Sequence, residues 1–140
     1  MITDVHCHVF PDKISLKAGE SIGEFYDTPM CQDGTLGSSL QLAEEAGIGR
    51  SIVHSVAVKH RNVASVGKYI SSCVQAYPDR LVGFGSIHPD REDIPGIVDE
   101  AIALGLKGLK IHPDMQLFAL DEPRVMAMFE DIEGRLPVIV

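Results

Sequence analysis

Short apolar runs and amphipathic stretches alternate along the whole chain. Five runs, ITDVHCHV (2–9), SIVHSVAV (51–58), LVGFGSI (81–87), GLKGLKI (105–111) and PVIV (137–140), are rich in Val and Ile and bounded by Gly or Pro. Runs of this kind fit strands covered on both faces. Helical periodicity fills the intervals. The first helix is LQLAEEA, ended by Gly47. The second runs from an N-cap at Asn62 through Val63, Val66, Ile70 and Val74 to a stop at Tyr77-Pro78. Asp93 caps the third, which carries Ile97, Val98, Ala101 and Ile102 and ends at Gly105. Asp121 caps the fourth, with Pro123 in its first turn, a stripe of Val125, Met126, Phe129 and Ile132, and a stop at Gly134. This alternation predicts an α/β fold of βαβ units, a parallel sheet and right-handed crossovers.

One interval breaks the rhythm. Residues 10–35 are polar, contain several glycines and show little periodicity. They read as a long loop after the first strand, with room for a short helix, and loops of this length are usually functional or mobile. No domain linker or low-complexity tract interrupts the remainder, so residues 1–140 are expected to form a single domain.

Composition narrows the partners. A net charge of -8 repels nucleic acid and anionic membrane surfaces alike. No apolar run reaches the roughly 20 residues of a membrane span, and no signal-peptide pattern opens the chain. Three cysteines, Cys7, Cys31 and Cys73, lack a paired spacing and suit a reducing compartment. A cytoplasmic protein acting on a small molecule is the expectation.

The histidines sharpen that expectation. Of six, five lie in or at the C-terminal end of a predicted strand: His6, His8, His54, His88 and His112. Parallel α/β proteins build their ligand sites on that edge. Along the first strand, Asp4, His6 and His8 share one face, and Val5, Cys7 and Val9 take the other. Two imidazoles on one strand face are about 6–7 Å apart, close enough to converge on one cation. His6 and His8 are therefore candidate metal ligands. For His54 and His88 taken singly, a buried imidazole hydrogen-bonded to a neighbour explains the position as well as a ligand would. On the fourth strand, Lys110 and His112 share a face with Gly108. A lysine there serves a substrate carboxylate or phosphate, or a metal bridge after carboxylation, or it simply reaches solvent from a frayed strand end. Cys7 is assigned to packing, and Arg50, Arg80 and Lys107 to the solvated opposite edge.

ITDVHCHVFP resembles the opening of the amidohydrolase superfamily, whose first barrel strand carries a His-x-His metal motif. GFGSIHPD and GLKGLKIHPDMQLFALDEPRVMAMFEDIEGRLPVIV resemble the third strand, and the fourth strand through the start of the fifth, of its amidohydrolase-related branch. The resemblance implies a (β/α)8 barrel of TIM type with one or two divalent ions, zinc foremost, at the C-terminal rim. It implies hydrolysis of a small-molecule amide, ester or lactone, or a related decarboxylation. It makes His6 and His8 metal ligands, and Lys110 and His112 catalytic candidates. A full barrel takes about 250 residues, so the chain is expected to supply about four and a half strand–helix units, a half-barrel. On that expectation the isolated 140 residues do not turn over substrate. They pair instead with another copy or with a complementing C-terminal fragment, since an uncovered sheet edge favours association.

Other readings share parts of this pattern. Phosphoesterases of the polymerase-and-histidinol-phosphatase or TatD-like type also begin with His-x-His, but the acidic charge counts against a nucleic-acid substrate. A non-catalytic open sheet of flavodoxin or receiver type matches the length. It needs a helix after the fifth strand and gives the histidine pair no purpose. A metal-binding remnant with a binding role is the third.

Overall fold

The computed structural model describes residues 1–140. Five parallel strands lie in sequence order, β1 (Ile2–His8), β2 (Ile48–His54), β3 (Leu81–Ser86), β4 (Gly108–Lys110) and β5 (Val138–Ile139). Six helices connect them: α1 (Asp12–Tyr26), α2 (Leu36–Glu45), α3 (Val63–Ala76), α4 (Ile94–Ala103), α5 (Pro113–Gln116) and α6 (Pro123–Ile132). Neighbouring strands pair only with their sequence neighbours, so the sheet winds in one direction and curls into half of a TIM-type barrel. That is the fold class expected of the alternation. β1 and β5 are the two edges of this sheet.

The core lies between the outer face of the sheet and the helices. Val9, Val53, Ile70, Val98, Leu109, Ile111 and Val125 are completely buried in it. Close approach depends on glycine at β3, where a side chain on Gly83 would collide with Ile70 and Val74 of α3 and with Leu106. The opposite face is the inner one. There the Phe84 ring lies where a Gly108 side chain would stand, in register across β3 and β4. Lys110 follows Gly108 on that inner face, two residues along.

Local signals account for most helix ends. Asp93 caps α4 by accepting the Gly96 N–H at 2.9 Å, and Thr35 caps α2 by accepting the Ser38 N–H. Three details differ from the sequence expectation. Glu122, not Asp121, is the N-cap of α6; its Oε1 accepts the Ala119 N–H instead of capping the helix. The buried stripe of α6 uses Met128, and Met126 is half exposed, because i, i+3 positions rather than i, i+1 face the core. Arg80 is not freely solvated: its guanidinium donates to the carbonyls of Gly49 and Ile48, fastening the start of β2.

The largest departure is residues 10–35. The expected loop contains α1, a helix of 15 residues. Its apolar stripe, Ile14, Ala18, Ile22 and Tyr26, is thin and interspersed with glycine and polar residues, and it reaches no core: only Ser15 is buried, while Ile14, Leu16, Phe25 and Tyr26 are exposed. No helix in the chain is long and apolar enough to cross a membrane.

Candidate metal centre

The centre is built from two edge-side strands. β1 is irregular: Asp4 pairs with Ser51 but Cys7 with Val53, so β1 carries one extra residue across that interval. A bulge re-aims side chains and loosens the ladder. Here the His6 N–H leaves the ladder and is taken up by the Asp4 carboxylate at 3.0 Å. Val5, expected to face the helices, is exposed as a result. After the bulge, His8 falls directly opposite His54 of β2.

Three imidazoles meet at this point. His6 Nε2 and His8 Nε2 are 3.2 Å apart, and the ring centroids of His54 lie 4.8 Å from His6 and 4.4 Å from His8. One nitrogen from each ring lies within 4.8 Å of the others. His6 is exposed, His8 half-buried, and His54 fully buried. His54 has no hydrogen-bond partner at Nδ1 or at Nε2. Buried polar groups in folded proteins are nearly always satisfied, so this ring lacks what its environment would normally supply. The sequence left His54 open between a hydrogen-bonded core histidine and a ligand; the ring without partners removes the first reading and makes His54 the third member of the cluster.

A divalent ion fits this donor set. Tetrahedral zinc with bonds of 2.0–2.1 Å places its ligand atoms about 3.3 Å apart, close to the His6–His8 separation. The protonation states agree. His8 is held down to about 4, first by burial and then by the charges of His6, Lys110 and His112. His54 is held down to about 3, by burial and then by His8 and His6. His6 is lowered by burial and by Lys110, with Asp4 opposing. All three are neutral at pH 7, the form that binds metal. The cluster contains no carboxylate.

Lys110 belongs to the same neighbourhood. It is only 1% exposed, which excludes the frayed end reaching solvent. Burial lowers its pKa, and its charge in turn depresses His6, His8, His54 and His112. No acidic side chain pairs with it, although buried lysines are almost always paired.

His112 sits apart from the three rings. Its Nδ1 accepts the Met115 N–H at 3.4 Å, capping α5, and its Nε2 donates to Tyr26 Oη of α1 at 2.8 Å. His88 is the structural histidine the sequence allowed: it is buried and accepts the Asp90 N–H at Nδ1. Cys7 also packs as expected, with its thiol against Ser39 of α2 and its pKa raised by burial.

Several side chains that shape the rim carried no sequence signal. Buried Gln116 donates to the carbonyls of Ala57 and Ile87 and accepts the His112 N–H, tying together the ends of β2, β3 and β4. Ser86 accepts the Ala57 N–H, and Ser55 donates to the Val9 carbonyl. Beside the rim, between it and α1, lies a cavity of about 930 Å³ with apolar walls including Phe10, Ile14 and Tyr69. His8 and His112 reach into it.

A curled parallel sheet with three imidazoles gathered at its C-terminal rim defines the class of fold: half of a TIM-type barrel. No protein-family model and no curated protein matches the sequence. Solved structures do. The chain is similar to 5-carboxyvanillate decarboxylase LigW from Sphingomonas paucimobilis, with TM-score 0.76, 18% identity, 98% of this chain and 50% of that one covered. It is similar to the 5-carboxyvanillate decarboxylase of Novosphingobium aromaticivorans, solved with manganese, at TM-score 0.74, 19% identity and coverage of 99% and 49%. It is also similar to 4-oxalomesaconate hydratase LigJ from Rhodopseudomonas palustris, at TM-score 0.65, 17% identity and coverage of 100% and 52%. The chain thus spans about half the length of these proteins. The chain shares their fold.

Proposed function

We propose that these residues form the N-terminal half of a metal-dependent enzyme of amidohydrolase type, acting on a small carbonyl or carboxylate compound by hydrolysis or decarboxylation. The observation that carries this reading is the three-imidazole cluster with its orphaned, fully buried His54. His6, His8 and His54 would hold the ion, and zinc is the metal proposed because three neutral imidazoles suit it. Manganese is the ion named with the similar decarboxylase. When bound, such an ion polarises a substrate oxygen and brings the pKa of a coordinated water toward neutrality.

The protein's own groups do the rest. Lys110, buried and unpaired, attracts a substrate carboxylate to the rim and holds it by charge. His112, fixed with its proton on Nε2, gives that proton to Tyr26 Oη and so sets the phenol hydroxyl at the edge of the cavity. The apolar walls beside His8 exclude water from the body of the substrate. A general base and any anionic ligand come from outside this set, since no carboxylate joins the cluster. We assign them to further strands that pair with the edges β1 and β5, either a C-terminal half or a second copy.

Metal analysis tests this reading. The purified chain is expected to hold about one transition-metal ion, measured by elemental analysis beside intact mass. The double substitution His6→Ala with His8→Ala is expected to abolish retention. His54→Ala should weaken it more than about 100-fold, beyond what changes to outer-shell groups cost. A double variant that holds metal as tightly as the parent refutes the assignment.

A further inference from the structure

We propose that α1 is a lid over the cavity beside the imidazole cluster, and that Tyr26 is the residue that latches and positions it. The argument starts from how the segment is attached. At its base the chain leaves and re-enters the domain at one point, where the Phe10 N–H donates to the Gly34 carbonyl at 2.9 Å and Phe10 bridges to Thr35. The helix begins beyond Pro11 and ends in a left-handed residue, Asp27, with the Thr28 N–H turned back onto Gly23. Between base and tip nothing polar holds it. From residue 12 to residue 32, a single hydrogen bond reaches the rest of the protein: Tyr26 Oη to His112 Nε2, at 2.8 Å. No charged residue of the segment forms an ion pair.

Packing does not hold it either. Only Ser15 of α1 is buried, and four of its large apolar or aromatic side chains are exposed. What lies beneath is space: the 930 Å³ cavity is bounded by Ile14, Ile22 and Tyr26 on the α1 side and by His8 and His112 on the rim side. A segment with few buried contacts and one tether opens at the low end of a protein's stability range. Closing it roofs the site, the standard role of such lids in enzymes.

The anchor of the latch is rigid, which makes Tyr26 the moving partner. The His112 ring is fixed at Nδ1 by the Met115 N–H, and its backbone N–H is fixed by Gln116 Oε1 at 2.8 Å. Gln116 in turn grips two other strand ends. Nε2–H therefore points from a clamped rim, and lid position is read from whether Tyr26 has accepted it.

Tyr26→Phe removes only the hydroxyl and keeps the ring. Hydrogen exchange followed by mass spectrometry is the first readout. One neutral hydrogen bond changes an opening equilibrium by about two- to twelve-fold, so amides of residues 12–26 should exchange faster by about that factor, with β2 and β3 unchanged. The second readout separates covering the cluster from mere helix stability. In protein loaded with zinc alone, release into excess chelator should quicken by a similar factor while the equilibrium affinity stays within about twofold. Unchanged exchange in α1, or acceleration spread evenly over the core, overturns the latch. Loosened exchange with unaltered release overturns the covering role. The lid rests on the metal reading only in the chelator arm. If the parent takes up no zinc, the metal reading fails while exchange still decides the latch.

Discussion

Replacing His54 by leucine should make the metal-free protein more stable. The ring is completely buried, yet neither nitrogen has a partner. An unmet buried donor or acceptor costs about 1–3 kcal/mol. Leucine has no such groups, and a volume-conserving exchange in a packed interior usually costs under about 1.5 kcal/mol. Two unmet ring nitrogens cost about 2–6 kcal/mol, so after the packing cost the net gain expected for His54→Leu is about 0.5–6 kcal/mol. With an unfolding entropy of about 2.1 cal/mol/K per residue, 140 residues give roughly 0.3 kcal/mol/K, and the gain becomes about 2–20 °C in Tm. Differential scanning calorimetry in chelator measures it. Zinc should then narrow or reverse the difference: at about 100 times Kd the parent gains near 2.7 kcal/mol, about 9 °C, from an ion bound only to the folded state. The variant, with one ligand gone, should gain little at that concentration. A His54→Leu protein no more stable than the parent in chelator, or equally raised by zinc, would sink the argument that this ring is kept for a ligand.

Two further outcomes follow from the geometry. Because His8 and His54 titrate well below the ordinary imidazole value when folded, the unfolded chain binds more protons as pH falls below about 6.5. Apo stability should therefore be flat above that pH and decline by about 1.4 kcal/mol per pH unit per histidine towards pH 4; urea midpoints that rise on acidification would contradict the assignment of neutral buried rings. Gly108→Ala would drive a methyl group into the Phe84 ring. Over-packing of this kind costs about 1–3 kcal/mol, so thermal unfolding should come about 3–10 °C earlier, and an unchanged Tm would show that the inner face has slack.

Much of this was legible before any coordinates. Val- and Ile-rich runs alternating with capped helices specify the parallel sheet, and Asp93 caps α4 where its position suggests. His6 and His8 announce themselves because a period of two places them together at a strand end. His54 does not, since its neighbour across the sheet depends on the bulge in β1, and a bulge is a pairing property that one strand's sequence does not display. Lys110 was visible but ambiguous: strand alternation gives its face, whereas its depth depends on how far the sheet curls. Gln116 and Tyr26 were silent for a related reason. Each acts on residues 29 to 86 positions away, so no local pattern marks them. The helix α1 was missed because solvent, not core, surrounds most of its side chains.

Two of the three imidazoles sit on β1, an outermost strand of the sheet, and the third on its only neighbour. An ion held among them would act as a rivet through that single seam. Peeling β1 away removes two donors in one event, so departure of the ion would be cooperative with strand detachment instead of proceeding donor by donor. Occupancy of the centre and integrity of the sheet's margin would then be one variable.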